Sequence, residues 1–275
     1  MTDVALAALL RRDRAVVLTC LITLVMIAWG YVLWLAVDME MGGMEMPEFR
    51  MIPAGMGLMM PVTAPWQKIE FAFVFVMWAV MMVGMMTPSA APMILIYARV
   101  GRQVALGQPP FVASAWFAGG YLLAWVAFSL IATSAQWAIE RAGLLSPTMA
   151  SVSNTFGGLT LIAAGLYQWT PFKDACLRQC QAPLQFIQRH GGFRADARGS
   201  LALGVRHGAY CVGCCWMLMA LLFVVGVMNV LWIALVMIFV LLEKILPTGR
   251  LISRISGAGF IAAGVWMMIG ARLMT

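Results

Sequence analysis

Apolar residues run in seven blocks along the chain, at about 15–37, 70–97, 111–134, 151–169, 202–225, 228–246 and 255–273, parted by polar or basic segments. Each block approaches or exceeds the length needed to cross a ~30 Å hydrocarbon core as a helix. A helix is the required form, because hydrocarbon offers backbone groups no water, and the alternating short strands of a membrane barrel do not appear in the pattern. Only a few residues around Gly226–Asn229 join the fifth and sixth blocks, so those two form an antiparallel hairpin. The prediction is an all-α polytopic membrane helix bundle of about seven transmembrane helices, a single integral membrane domain over residues 1–275.

Composition agrees with the pattern. Of the 275 residues 63% are apolar and 11% charged, whereas a soluble domain carries about 25% charged residues. Basic residues then set the direction of insertion. With the N-terminus inside, only Arg50, Lys68, Arg141 and Arg272 lie outside, leaving 14 of the 18 Lys and Arg on cytoplasmic segments. The positive-inside rule therefore predicts N-in, C-out, in the lipid bilayer of a bacterial cytoplasmic (inner) membrane. The same asymmetry accounts for the net charge of +7, which calls for no nucleic-acid partner. The first block follows Arg11-Arg12-Asp13-Arg14 and reads as a retained anchor. Its apolar run exceeds the ~7–15 residues of a cleaved signal core, and no A-x-A site follows. Neither the external 38–68 loop nor the cytoplasmic 171–200 loop is large enough for a core of its own.

Candidate chemistry is concentrated in sulfur. Cys20 stands alone in the first block and reads as a small apolar filler. The other five of the six cysteines form two groups, Cys176/Cys180 in the cytoplasmic loop and Cys211/Cys214/Cys215 in the fifth block. On a helix at ~100° per residue, Cys214, Cys215 and His207 fall at about −60°, +40° and −40° from Cys211. Four potential ligands thus share one arc of about 100°, and the i,i+4 spacing puts Cys176 and Cys180 on one face as well. Such a set suits a soft or borderline ion, with Cu(I) favoured and Zn²⁺ or an iron–sulfur cluster as alternatives. A structural disulfide is disfavoured, because cytosolic thiols are kept reduced.

Methionine numbers 24. Met39, Met41, Met44 and Met46 fall in an acidic, Gly-rich external loop where thioethers could surround Cu(I) or simply pack on lipid. Met77, Met81 and Met85 form an i,i+4 stripe in the second block, readable as ordinary packing or as a sulfur-lined path. Pro88 and Pro92 just beyond it are expected to kink that helix. Glu243-Lys244 is an ionisable pair near a membrane boundary, with Glu243 as a further metal-site candidate and Lys244 free to snorkel. Gln168, Asn154 and Asn229 are expected to hydrogen-bond between helices.

Four stretches carry a resemblance. Met77-Trp78-Ala79-Val80-Met81-Met82-Val83-Gly84-Met85-Met86 with Pro88, Cys176-Leu177-Arg178-Gln179-Cys180 with Pro183, Gly208-Ala209-Tyr210-Cys211-Val212-Gly213-Cys214-Cys215-Trp216 with Met219, and Glu243-Lys244 resemble a bacterial family of predicted metal-binding integral membrane proteins of unknown function. The resemblance covers about Glu70 to the C-terminus and implies a metal-binding role in the membrane without naming an activity. Three functions stay open on the sequence. The first is a Cu(I)-handling protein (uptake, holding or delivery), whose partners would be a metallochaperone or a metalloenzyme being supplied. The second is a membrane thiol–disulfide oxidoreductase, and the third an accessory or assembly subunit with a structural zinc site. No catalytic constellation is visible, and a non-enzymatic role is favoured.

Overall fold

The computed structural model describes residues 2–43, 49–52, 59–61, 64–104, 110–146 and 149–273. Its helices are α1 (Thr2–Gly43), α2 (Lys68–Val104), α3 (Pro110–Arg141), α4 (Asn154–Gln168), α5 (Pro171–Gln181), α6 (Pro183–Arg189), α7 (Ala197–Ala220), α8 (Leu222–Val225), α9 (Val230–Ile245) and α10 (Gly249–Leu273). Apart from a small antiparallel hairpin, β1 (Phe49–Met51) with β2 (Met59–Pro61), the described elements are all helical.

Local sequence explains the helix starts. Ser153, Thr170, Asp196 and Asn229 each accept a backbone N–H of the first turn, from Phe156, Lys173, Gly199 and Trp232 respectively. These are the residue types whose short side chains satisfy the orphan donors of a helix N-terminus. Asn229 is therefore a local cap, not the interhelical contact expected of it. Pro171 and Pro183 open α5 and α6, where the missing N–H costs nothing.

Five helical segments are long and apolar enough to cross a membrane: 14–39, 68–103, 112–141, 197–225 and 249–270. The other two predicted spans correspond to α4 and α9, which are shorter, at 15 and 16 residues. Length alone does not qualify them as spans.

The helices packed around α7 include several that run opposite to it. α2 runs antiparallel to α7, with the Trp78 ring 5.4 Å from that of Phe223 at one end and Tyr97 Oη 3.0 Å from Ser200 Oγ at the other. α4 runs antiparallel to the α7–α8 leg, Gly157 facing Val224 and the Tyr167 hydroxyl donating to the Gly213 carbonyl. α9 returns beside the same leg, Trp232 Nε1 donating to the Leu221 carbonyl and Lys244 reaching Cys211.

Two seams hold the legs at close range. Along α3 and α7 a Cβ at Gly204 would lie 2.0 Å from the Phe117 carbonyl oxygen, and one at Gly120 would lie 2.1 Å from that of Leu201. Along α4 and α10, Gly158 faces Gly264 and Gly165 faces Gly257 in the same way. Small residues let backbones approach where lipid supplies no hydrophobic drive for association.

α2 continues as one helix through Pro88 and Pro92, so the helix is not broken there. Carbonyls in this stretch accept side-chain hydroxyls: Thr87 Oγ1 donates to Val83 O at 2.6 Å, and Ser89 Oγ and Tyr121 Oη to Met86 O at 2.9 and 3.0 Å. The proline-freed stretch is thereby tied to α3.

Gly204→Val should force α3 and α7 apart and lower the melting free energy in detergent by about 1–3 kcal/mol. Gly119→Ala, with nothing near its added Cβ, should leave the melt unchanged.

Candidate metal centre

The two cysteine groups meet. α7 carries Cys211, Cys214 and Cys215 on one buried face, and α5 lies across it. Gly213 makes the approach feasible: a Cβ there would come within 2.9 Å of Cys176 Sγ. Cys180, one turn along α5, brings its thiol near those of Cys211 and Cys214. Cys176, Cys211, Cys214 and Cys215 are buried, Cys180 is half-buried, and all are free thiols.

Cys211 is the centre of this group. Its Sγ lies 2.7 Å from Lys244 Nζ and 3.1 Å from Tyr121 Oη. Lys244 also donates to Ser89 Oγ at 3.1 Å. The Cys214 and Cys215 thiols turn back to the Cys211 carbonyl at 3.1 and 3.0 Å. With the thiols so arranged, no three His, Cys, Asp or Glu side chains among the described residues form a group that could hold a metal ion.

His207 stands one turn before Cys211, buried among the rings of Phe186, Tyr121 and Phe117 at 5.1, 5.8 and 5.9 Å. Its Nδ1 has no hydrogen-bond partner among the described residues. An unpaired buried imidazole nitrogen is costly unless something else completes it.

Glu243 and Lys244 do not act together. They are consecutive on α9, so their side chains leave the helix about 100° apart. Lys244 is buried against Cys211 and does not snorkel to a boundary. Glu243 faces the other way and is fully engaged: Lys173 Nζ contacts both its oxygens at 2.9 and 2.8 Å, Gln168 Nε2 donates at 3.1 Å and Ser253 Oγ at 2.7 Å. Gln168 also accepts from Lys173, and so makes the interhelical bonds expected of it. In this arrangement Glu243 is committed to an ion pair with Lys173 and to hydrogen bonds from Gln168 and Ser253.

The methionines divide. Met77, Met81 and Met85 are fully buried in the core, as the stripe predicts. Met39 belongs to α1, which continues to Gly43 beyond the expected loop start, and packs partly buried against the core. The side chain of Met41 and all of Met44 and Met46 lie outside the described residues.

Residues 75–267 match the copper-chaperone family PpoB2. The chain belongs to that family. No curated protein and no solved structure matches it. Membership assigns the chain a copper-related role, and every cysteine of the cluster lies inside the matched region.

Several members of this cluster are not legible in sequence. Lys173 looked like one more cytoplasmic charge and Tyr121 like one more aromatic; nothing in their local pattern marks either. The Lys244–Cys211 contact joins residues 33 positions apart and needs the α7–α9 hairpin to exist. On α5, burial and then a neighbouring Cys214 charge push the Cys176 thiol up to about 11. Contact with Cys211 and Cys214, and then burial, hold Cys180 well above the ordinary thiol range.

Removing one side of the Lys173–Glu243 pair leaves a buried charge uncompensated, at a cost of about 3–5 kcal/mol. Lys173→Met and Glu243→Gln should therefore each destabilise the protein strongly in a detergent melt. The double variant should recover most of the loss.

Proposed function

We propose that this is a seven-crossing protein of the bacterial cytoplasmic membrane, N-terminus inside, that holds Cu(I) as cargo on thiolates at its cytoplasmic end and passes it to a metallochaperone or metalloenzyme. The observation that carries the reading is the meeting of Cys176 and Cys180 of α5 with Cys211, Cys214 and Cys215 of α7 beside a buried ammonium. Soft thiolates select Cu(I), for which two sulfur ligands suffice.

The charge balance supports a monovalent cargo on a thiolate pair. Two thiolates and one Cu(I) leave a single negative charge, and the Lys244 ammonium at 2.7 Å from Cys211 offsets it. A buried charge needs such a partner. His207, with its open Nδ1, is a candidate third ligand after a rotation of the ring. The buried Met77, Met81 and Met85 lead along α2 towards Met86, whose carbonyl is bridged to Cys211 by the Tyr121 hydroxyl.

Helix direction supports the crossing count. α3 and α7 run parallel, Phe117 over Gly204 and Ala124 over Gly208, so the chain has to return between them, and α4 is the longest of the helices there. α10 runs antiparallel to α4 and hence parallel to α7, so α9 makes the second return. With 14 of 18 basic residues then inside, the cysteine cluster faces the cytoplasm.

Purified protein loaded with Cu(I) under reducing conditions should bind it stoichiometrically, and the Cys211→Ser/Cys214→Ser double variant should lose that copper. Intact copper content in that variant would defeat the reading. Lys244→Met should weaken Cu(I) binding by about 100-fold, or about 3 kcal/mol, with partial recovery in Lys244→Arg.

The pH dependence has a definite sign. The raised Cys176 and Cys180 thiols are protonated at neutral pH without metal, so binding through either releases protons. Cu(I) affinity should fall as pH is lowered and rise with pH towards about 11. Competition titrations against a Cu(I) chelator of known pH response measure this.

A further inference from the structure

His190 is a metal-ligating side chain that the cysteine cluster leaves unused. It ends α6, and its Nδ1 lies 2.8 Å from the Phe186 carbonyl oxygen. A carbonyl can only accept, so Nδ1 carries the proton and the neutral ring keeps its lone pair on Nε2. Metal-binding histidines are prepared in this way, one ring nitrogen donating to a carbonyl and the other left for the metal. The ring is half-buried. The turn that follows it, Gly191-Gly192 with φ of 92° and 79°, adds no side chain to cover it.

The Phe186 ring touches a second imidazole. Its centroid is 4.4 Å from that of His190 and 5.1 Å from that of His207. Tyr210 borders the same group, its ring 6.0 Å from Phe186 and from His190. The row runs inward from a partly exposed His190, over a fully buried Phe186, to His207, which stands buried one turn before Cys211. His207 Nδ1 has no hydrogen-bond partner among the described residues. Apolar packing accounts for Phe186 and Tyr210, and the end of α6 accounts for His190 Nδ1. Neither accounts for two imidazoles on one phenyl ring, each with a nitrogen still uncommitted.

We propose that His190 is the delivery ligand of this protein: Cu(I) leaves the buried thiolates by way of His207, passes the Phe186 ring and is presented on His190 Nε2 to a dithiol acceptor in the cytoplasm. Imidazole is a good copper ligand, and being neutral it holds the ion without the charge that a thiolate brings. The face of an aromatic ring attracts a cation in passage. Copper stays Cu(I) throughout. Each Cu–S bond to Cys211 or Cys214 that breaks is replaced first by a Cu–N bond and then by a Cu–S bond to the acceptor. The two protons lost by the acceptor's thiols end on the two vacated sulfurs. The inference rests on the copper reading above and adds the route and the acceptor's chemistry.

The test uses the full chain in detergent, loaded with Cu(I) under anaerobic, reducing conditions. It is mixed with the chelator bathocuproine disulfonate, and the absorbance of the chelated copper is followed by stopped flow. His190→Gln should slow the transfer by about tenfold, while the Cu(I) affinity measured at equilibrium stays at the wild-type value. His190→Cys, which supplies a different copper donor in place of the imidazole, should restore most of the rate.

Transfer at the wild-type rate from a normally loaded His190→Gln variant would overturn the inference alone. Equal slowing in His190→Gln and His190→Cys would make His190 a structural cap of α6 and would overturn it as well. A wild type that takes up no Cu(I), or that holds the same copper after Cys211→Ser/Cys214→Ser, would overturn the copper reading and this inference with it.

Discussion

Two lysine ammonium groups lie buried in an apolar bundle, and neither could stay there without an acceptor at contact distance. The bundle divides the acceptors between them. Lys173 takes the Glu243 carboxylate together with the Gln168 amide, while Ser253 donates to Glu243 from α10. Lys244 is left with the Cys211 sulfur and the Ser89 hydroxyl. Because Glu243 and Lys244 are consecutive on α9, one helix rotation sets both pairings. Turning α9 to free either charge would strand the other, so the cysteine cluster is held in register by an ion pair that takes no part in it.

Close helix approach is what makes those contacts reachable. Glycines along α3–α7 bring Tyr121 to Cys211, and Gly213 admits the Cys176 thiol against α7. The α4–α10 seam does the same for Gln168 and Ser253, which come from those two helices to meet at Glu243. A larger side chain at any of these points would lengthen several polar contacts at once. In a low-dielectric interior that loss is steep, since each group forfeits its partner without regaining water.

On the proposed copper reading, three of the sulfurs already have a polar partner to return to once an ion leaves: the Cys211 carbonyl for Cys214 and Cys215, and Tyr121 and Lys244 for Cys211. The raised Cys176 and Cys180 thiols add a proton competitor on the α5 side.

Much of this was visible along the chain. The apolar blocks located the five long apolar helices and the shorter α4 and α9, because a long apolar stretch satisfies its own backbone most readily as a helix. The helical spacing of Cys211, Cys214, Cys215 and His207 put them on one buried face, because periodicity is a property of the helix alone. Other features belonged to the folded molecule. The ends of α1 and α2, and the continuity of α2 past Pro88 and Pro92, depended on neighbours that satisfy or cover the backbone. The choice of Lys173 for Glu243 and of Lys244 for Cys211 joins residues 70 and 33 positions apart. Spacing within one helix determines which residues share a face; which face meets which charge is decided only when the helices pack, because the desolvation cost of every buried group is then settled together.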